Sequence, residues 1–325
     1  MARSVSFVVV NWNGEEVLPR CLDAISGALD TYGGAPGEIL VVDNGSSDRS
    51  VALIEEGYPQ VKLIALKENL GFSEGNNIGV EESTGDIVIL VNNDAYVHPD
   101  FLVPIVPHFD DEQVFSVTPK VYGLDGSTLT IGKTGAYFHR GMIRLTFSGD
   151  IYRSPVPCLW ATGGSGAFDR KKYLELGGLL ELLYWEDTEL GYRAWKQKGW
   201  KTIYEPRSLV YHDHGTSFMK VFHWKRLKNI RDRNRFLFQW HAISDPLLRV
   251  KHACFIPFVL TSFLLRGKMS YPIGFVQALW EWGRFRREAA KRVSKGGEKL
   301  KDRQILEITR DRPAGVLAQG WETEK

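Results

Sequence analysis

The chain has 325 residues, 43% of them hydrophobic and 25% charged, with a formal net charge of +2. That length suits one large α/β domain with an appendage, or two small domains, and the composition is ordinary for a globular protein. Three cysteines (Cys21, Cys158 and Cys254), an odd number with no paired spacing, argue against a disulfide framework or a zinc site.

The chain enters a strand at once, without the basic, apolar and small-residue pattern of a leader. No apolar run reaches the roughly 18 residues that a spanning helix needs, so a cytoplasmic, reducing compartment is expected. Val5 to Val10 reads as a buried strand ending in Asn11-Trp12-Asn13-Gly14. A helix follows from about Glu15, with Leu18, Leu22, Ile25 and Leu29 on one face and Pro19 in its first turn. A second strand, Glu38 to Val42, ends in Asp43-Asn44-Gly45-Ser46-Ser47-Asp48, and a short helix carries Val51 and Ile54. A third strand, Val61 to Leu66, leads into Asn69-Leu70-Gly71-Phe72 and a helical segment through Gly79. A fourth, Ile87 to Val91, runs into Asn92-Asn93-Asp94. Alternating strands and helices predict a parallel, doubly wound sheet whose crossover hand is nearly forced.

Ligands of such sheets sit beyond the carboxyl ends of the strands. The candidate nucleotide and donor residues are therefore the polar tips: Asn11, Asn13, Asp43, Asn44, Asp48, Gly71, Asn76, Asn92 and Asn93. Asp43 and Asp48 supply acceptors for ribose hydroxyls or a base. Gly71, Gly75 and Gly79 would let backbone approach a diphosphate at a helix start. The same loops equally suit plain caps and turns, with Asp48 as an N-cap. Asn92 and Asp94, spaced i, i+2, suit a hard cation, Mg²⁺ or Mn²⁺, that also holds a diphosphate. No G-x-G-x-x-G follows the first strand and no phosphate-binding G-x-x-x-x-G-K-[ST] occurs, which argues against a dehydrogenase or a P-loop enzyme.

The 41–48 segment, Asn69 to Phe72 with Gly75-Asn76-Asn77-Ile78-Gly79, and Asn92-Asn93-Asp94 together resemble glycosyltransferase family 2, especially its bacterial rhamnosyltransferase-like members. The likeness covers about residues 4 to 240. It implies an inverting enzyme on a single Rossmann-like nucleotide-diphospho-sugar transferase domain of GT-A type, with a mainly parallel central sheet and a C-terminal helical extension. By the resemblance Asp43 contacts the nucleotide, while Asn92 and Asp94 stand in the Asp-x-Asp metal motif. Its first position here is a neutral Asn, so Asp94 must carry most of the charge.

Pro99 to Phe109 is predicted as a helix and Phe115 to Tyr122 as a strand, with irregular hairpins over residues 123–157. Trp160 and the glycines Gly163 and Gly164 precede a helix from Lys171 to Leu176. By the resemblance this segment floors the donor and acceptor site, although close backbone packing accounts for the glycines equally well. Tyr184-Trp185-Glu186-Asp187-Thr188-Glu189-Leu190 matches the family's Glu-Asp-x-Asp/Glu-Leu motif. Inverting transfer needs a carboxylate beside the acceptor hydroxyl, and Asp187 is the expected base. Trp185 and Glu186 are expected to line the sugar, while Glu189 and Arg193 form an i, i+4 pair expected to give structural support, an ordinary helix-surface ion pair being the plain alternative. Two strands, Trp200 to Tyr204 and Leu209 to Tyr211, lead to His212-Asp213-His214. His212, with His214 as understudy, is the candidate third metal ligand.

Bases and aromatics interleave from Lys220 to Trp240, and Arg233-Asn234 resembles a pair in the rhamnosyltransferase-like members, placing Arg233 by the acceptor. Ala253 to Leu265, broken by Pro257, and the aromatic-rich Tyr271 to Trp282 suit a helix lying in a membrane interface or a homodimer contact. Peripheral contact through residues 220–292 with the inner face of a bacterial membrane is favoured. Nucleic acid is not expected, for no binding motif accompanies the bases. Residues from about Lys295 are expected to be loosely ordered. The division predicted is a catalytic part, 1–218, and a helical part, 219–325. The expected activity is sugar transfer from a nucleoside-diphosphate sugar, rhamnose or another hexose, to a saccharide or polyprenyl-linked saccharide in cell-surface polysaccharide synthesis. The alternatives are a sugar-phosphate nucleotidyltransferase and a non-catalytic nucleotide-sugar-binding module.

Overall fold

Strands apolar on both faces bury themselves by pairing side by side under helices, and three of the aliphatic runs do so here, with a fourth at the sheet edge. The computed structural model describes residues 3–33, 36–213, 224–293 and 296–310, with backbone only at 224 and 225. Strands β1 (Val5–Asn11), β2 (Gly37–Asp43), β3 (Val61–Ala65) and β4 (Ile87–Asn92) are parallel in the order β4-β1-β2-β3. Helices α1 (Leu18–Tyr32), α2 (Ser50–Gly57) and α3 (Phe72–Glu82) make the crossovers. The register sets Asn11 beside Asp43 and Val10 beside Asn92, so the three polar tips emerge at one edge.

Two glycines of α3 face the sheet rather than a ligand. A Cβ at Gly75 would stand 3.0 Å from Val10 Cγ1, and one at Gly79 only 2.2 Å from Val8 Cγ1. Both positions let the helix approach β1, which corrects the expectation that they admit a diphosphate.

Beyond β4, the short β5 (Ala95–Val97) precedes α4 (Leu102–Ile105) and a 3₁₀ turn, Val106–Asp110. Pro104 and Pro107, each lacking an N–H, account for the broken helix. Strand β6 (Val114–Gly123) pairs with β7 (Leu129–Ile131), and β8 (Thr134–His139) pairs with β9 (Met142–Phe147) in a separate hairpin. Next come β10 (Val156–Cys158), β11 (Ala167–Asp169), α5 (Arg170–Leu176), α6 (Glu186–Arg193) and a π-helical turn, Ala194–Lys198. Strand β11 lies antiparallel between β4 and β6. The two strands expected after residue 200 are one, β12 (Lys201–His212), irregular between Glu205 and Leu209 where Pro206 removes a donor.

Helices α7 (Trp224–Ala242), α8 (Pro246–Leu265), α9 (Ser270–Arg292) and α10 (Asp302–Thr309) share a core with the β8–β9 hairpin and α6. The basic stretch of α7 is no open face. Arg233 Nη1 meets Glu281 Oε1 of α9 at 2.9 Å, and the Arg235 guanidinium lies over the rings of Trp185 and Tyr271. Arg233 is therefore a tie between helices α7 and α9. Lys220, Phe222 and the side chains of Trp224 and Lys225 lie outside the described residues. Pro257 does not break α8, which runs for 20 residues. It is long and apolar enough to cross a membrane by length and composition, contrary to expectation, and it is mostly exposed. The segment after Lys295 also orders locally. Asp302 is fully buried and accepts from Tyr192 Oη, Lys196 Nζ, Ser244 N and Asp245 N, each at 2.8 Å.

The Glu189–Arg193 pair is likewise interior. Arg193 Nη2 donates to Glu189 Oε2 at 2.7 Å and to Gly178 O at 2.7 Å, and His241 Nε2 of α7 stands 3.2 Å from Glu189 Oε1. Burial would raise the Glu189 carboxyl, but Arg193 and His241 outweigh it and hold it below its ordinary range.

Gly79→Ala should cost about 1–3 kcal/mol through overpacking against Val8, read by urea unfolding. Arg193→Ala should cost about 3–5 kcal/mol, because it strands Glu189 as a buried charge. A loss under about 0.5 kcal/mol, the level of an exposed pair, would refute the interior reading.

Candidate active site

The first wall of the site is a closed amide and carboxylate network at the tips of β1 and β2. Asn11 Nδ2 donates to Asp43 Oδ2 at 2.9 Å, and Asn93 Nδ2 donates to Asn11 Oδ1 at 2.8 Å. Ser46 closes the loop: its N–H reaches Asp43 Oδ1 at 2.9 Å and its Oγ reaches Oδ2 at 2.6 Å. Asn13, at φ +50°, accepts from Ser47 N through its side chain at 2.8 Å. Asp48 accepts from Glu15 N and Ser50 N, both at 3.0 Å, so it braces the loops of both strands.

Two other expected donor contacts are structural. The buried Asn44 amide spans the next turn, accepting from Leu70 N at 2.8 Å and donating to Gly71 O at 3.0 Å. Asn76 is buried and donates to Phe72 O within its own helix at 2.9 Å. Gly71 keeps a backbone role: at φ +92° it sets the N-cap of α3, a conformation that favours glycine.

The second wall comes from β4 and β12. Pairing of β5 with β12 aligns His212 with Ala95 and so brings its ring to Asp94. His212 Nε2 lies 2.9 Å from Asp94 Oδ1 and 3.3 Å from Asn92 Nδ2. These separations approach the spacing of about 3 Å between adjacent donors of a six-coordinate ion with bonds of about 2.1 Å. An amide oxygen, reached by a half-turn of the Asn92 amide, a carboxylate and an imidazole nitrogen suit Mn²⁺ better than Mg²⁺. The residues present therefore fit a divalent cation, with a single carboxylate among them. Among the described residues, no three His, Cys, Asp or Glu side chains cluster as a metal site. His214 lies outside the described residues.

The third wall is the stretch from Thr162 to Gly166 with the start of α6. Asn92 N donates to Gly164 O at 3.0 Å, and a Cβ at Gly164 would stand 2.7 Å from Asn92 Nδ2. One residue earlier, Gly163 N donates to Asp187 Oδ2 at 3.2 Å. Gly163 and Gly164 thus join the Asp187 carboxylate to the Asn92, Asp94 and His212 group. Burial pushes the Asp187 carboxyl up to about 6, a rise limited by the hydrogen bonds from Gly163 N and Thr188. Glu186, buried and accepting from Trp185 N at 3.0 Å, is driven well above its ordinary range by burial and then by the Asp187 charge.

Neither tryptophan expected to line the sugar does so. Trp160 is 2% exposed and meets the Phe147 ring edge-on, while Trp185 is 4% exposed and stacks on Phe238 at 5.1 Å. Tyr184, three residues before Asp187 and 37% exposed, adopts φ +72°. Such backbone costs about 1–3 kcal/mol and collects at functional sites. Sequence reading missed that strain, and it missed Ser46 and His241. The Asx-turn spacing of Asp43 and Ser46 carried a signal for the second, whereas nothing local marked His241.

Several known proteins share these features. The undecaprenyl-phosphate 4-deoxy-4-formamido-L-arabinose transferase of Pectobacterium carotovorum subsp. carotovorum is 33% identical over 110 residues, 33% of this chain and 33% of that protein. The chain thus matches about a third of the length of that relative. The N-acetylglucosaminyl-diphospho-decaprenol L-rhamnosyltransferase of Mycobacterium tuberculosis is 26% identical over 235 residues, 63% of this chain and 74% of that protein. The mannosyltransferase PcManGT from Pyrobaculum calidifontis, in complex with GDP-Man and Mn²⁺, superposes with a TM-score of 0.55 at 15% identity. That superposition covers 86% of this chain and 88% of the other, and the shared fold is GT-A. The model of the family described as glycosyl transferase family 2 matches residues 6–173, just over half of the sequence, and to that family this chain belongs.

Proposed function

We propose that the chain is an inverting glycosyltransferase that moves a hexose from a nucleoside-diphosphate sugar to a saccharide or lipid-linked saccharide acceptor in polysaccharide synthesis. The observation that carries this reading is the Gly163–Gly164 bridge, which joins a carboxylate of raised pKa to an oxygen and imidazole group fit for a cation. Rhamnose is the favoured sugar, supported by the relative whose name gives L-rhamnosyl transfer to a diphospho-decaprenol-linked N-acetylglucosamine. Residues 1–218 would carry the chemistry. Residues 219–325 would brace the Asp187 helix and rest against the cytoplasmic face of a membrane through α8 and α9.

The residues divide the work. Asn11, Asp43 and Asn93 would seat the nucleotide, with Ser46 fixing the Asp43 carboxylate. Asp94, His212 and Asn92 would hold a divalent cation, Mn²⁺ by donor type, and its charge would offset that of the departing nucleoside diphosphate. Asp187 would take the proton of the acceptor hydroxyl as that oxygen bonds to the anomeric carbon and the bond to the diphosphate breaks. Tyr184 would offer an aromatic surface to a sugar.

Asp187→Asn should leave nucleotide binding near normal while turnover falls about 10²- to 10⁴-fold, measured by sugar transfer and by nucleotide titration. Equal loss of both would remove Asp187 from the base role. Because its folded pKa is raised to about 6, the base form is present above that pH and lost below it. Turnover should drop about tenfold per pH unit beneath the inflection, and a flat profile down to the ordinary Asp range would count against the assignment. In a thermal-shift panel of uridine, thymidine and guanosine diphosphate-sugars with and without Mn²⁺, one donor should stabilise the protein most. Its Mn²⁺-dependent increment should vanish in His212→Ala and in Asp94→Ala; persistence in both would rule out that cation site.

A further inference from the structure

The foot of α8 forms one side of a second cavity of about 550 Å³, which includes none of the active-site residues. Strand β8 contributes Tyr137 and His139, α8 contributes Lys251, and α10 with the residue after it contributes Arg303, Glu307 and Arg310. Three permanent cations and an imidazole thus face a single carboxylate. Arg303 is held by Asp245, with Nε 3.0 Å from Oδ2, whereas Lys251 and Arg310 make no ion pair among the described residues. A cavity of that size and charge suits an organophosphate rather than a neutral metabolite.

What lies above the cavity narrows the ligand further. Helix α8 is anchored by Leu248 and His252, and its other face carries Leu247, Val250, Phe258 and Leu265 outward. Phe258 is 74% exposed and Leu265 84%. The anchored residue Leu248 and the cation Lys251 both line the cavity, so the charged hollow and the apolar face are continuous along one helix. A basic hollow at the foot of an exposed apolar helix is the arrangement that holds a lipid at a bilayer surface.

We propose that this cavity binds the phosphate head of an anionic lipid, with the lipid chain lying along the outer face of α8. The proposal rests on the membrane-facing part of the function given above and not on its transfer chemistry. Flotation with phosphatidylcholine vesicles, with and without phosphatidic acid, tests it on the full chain. The wild type should bind the acidic vesicles, and Lys251→Gln/Arg310→Gln should weaken binding by about fivefold for each charge removed. Arg284→Gln/Arg287→Gln, on α9 outside the cavity, should weaken it less. Both double variants should retain the wild-type melting temperature and donor hydrolysis, which separates loss of the lipid site from failure of the active site. Equal weakening by the two pairs would mean diffuse surface charge and overturn the site. Stabilisation by inorganic phosphate without vesicle binding would overturn the lipid source. A stable dimer that buries Phe258 and binds no vesicles would overturn the docking face.

Discussion

One backbone hydrogen bond carries the geometry of the whole site: Gly163 N to the Asp187 carboxylate. Its neighbour Gly164 is fixed to the β4 backbone at Asn92, so the tip of the central strand and the start of α6 cannot move independently. The glycines matter for their lack of bulk. A side chain at 164 would displace the Asn92 amide, and with it the group around His212. The site is therefore as rigid as the sheet edge it stands on, which is what preorganised transfer chemistry requires.

That rigidity is reinforced from behind. Glu189 follows Asp187 by half a helical turn and is clamped between Arg193 and His241. Asn234 of α7 donates to Leu183 O at 3.1 Å, just before the strained Tyr184. The interior charges of α6 thus fix the orientation of the helix that presents Asp187. The same low-polarity setting that makes this clamp necessary also lifts the Asp187 carboxyl.

The central sheet was legible because parallel strands must be apolar on both faces, and Val5 to Val10 or Ile87 to Val91 has no other ready use. Their polar tips followed, since chain register alone brings Asn11, Asp43 and Asn92 to one edge. The proximity of His212 to Asp94 was less local, and the motif supplied what periodicity did not. Trp160 and Trp185 misled because a ring that stacks on sugar and a ring that fills a core have the same sequence signature. Gly75 and Gly79 misled likewise, for close approach of a helix and close approach of a ligand both demand glycine. The helices after residue 224 were blurred because α7 is covered on several sides. Its arginines are paired across space with Glu281 and the rings of Trp185 and Tyr271, which no spacing reveals.

The buried Asp302 has a consequence for the order in which the protein is made. It secures Tyr192 near the end of α6, the helix that bears Asp187, and Lys196 in the turn after it, from 110 and 106 positions further along the chain. The four parallel strands, by contrast, are finished by residue 92 and pair only with one another and with β11. During synthesis from the N-terminus the four-stranded edge can therefore condense on the ribosome long before the helix that bears Asp187 is locked in place. The edge that carries Asn11, Asp43 and Asn92 is thus complete first, and the walls from Asp187 and His212 join it last.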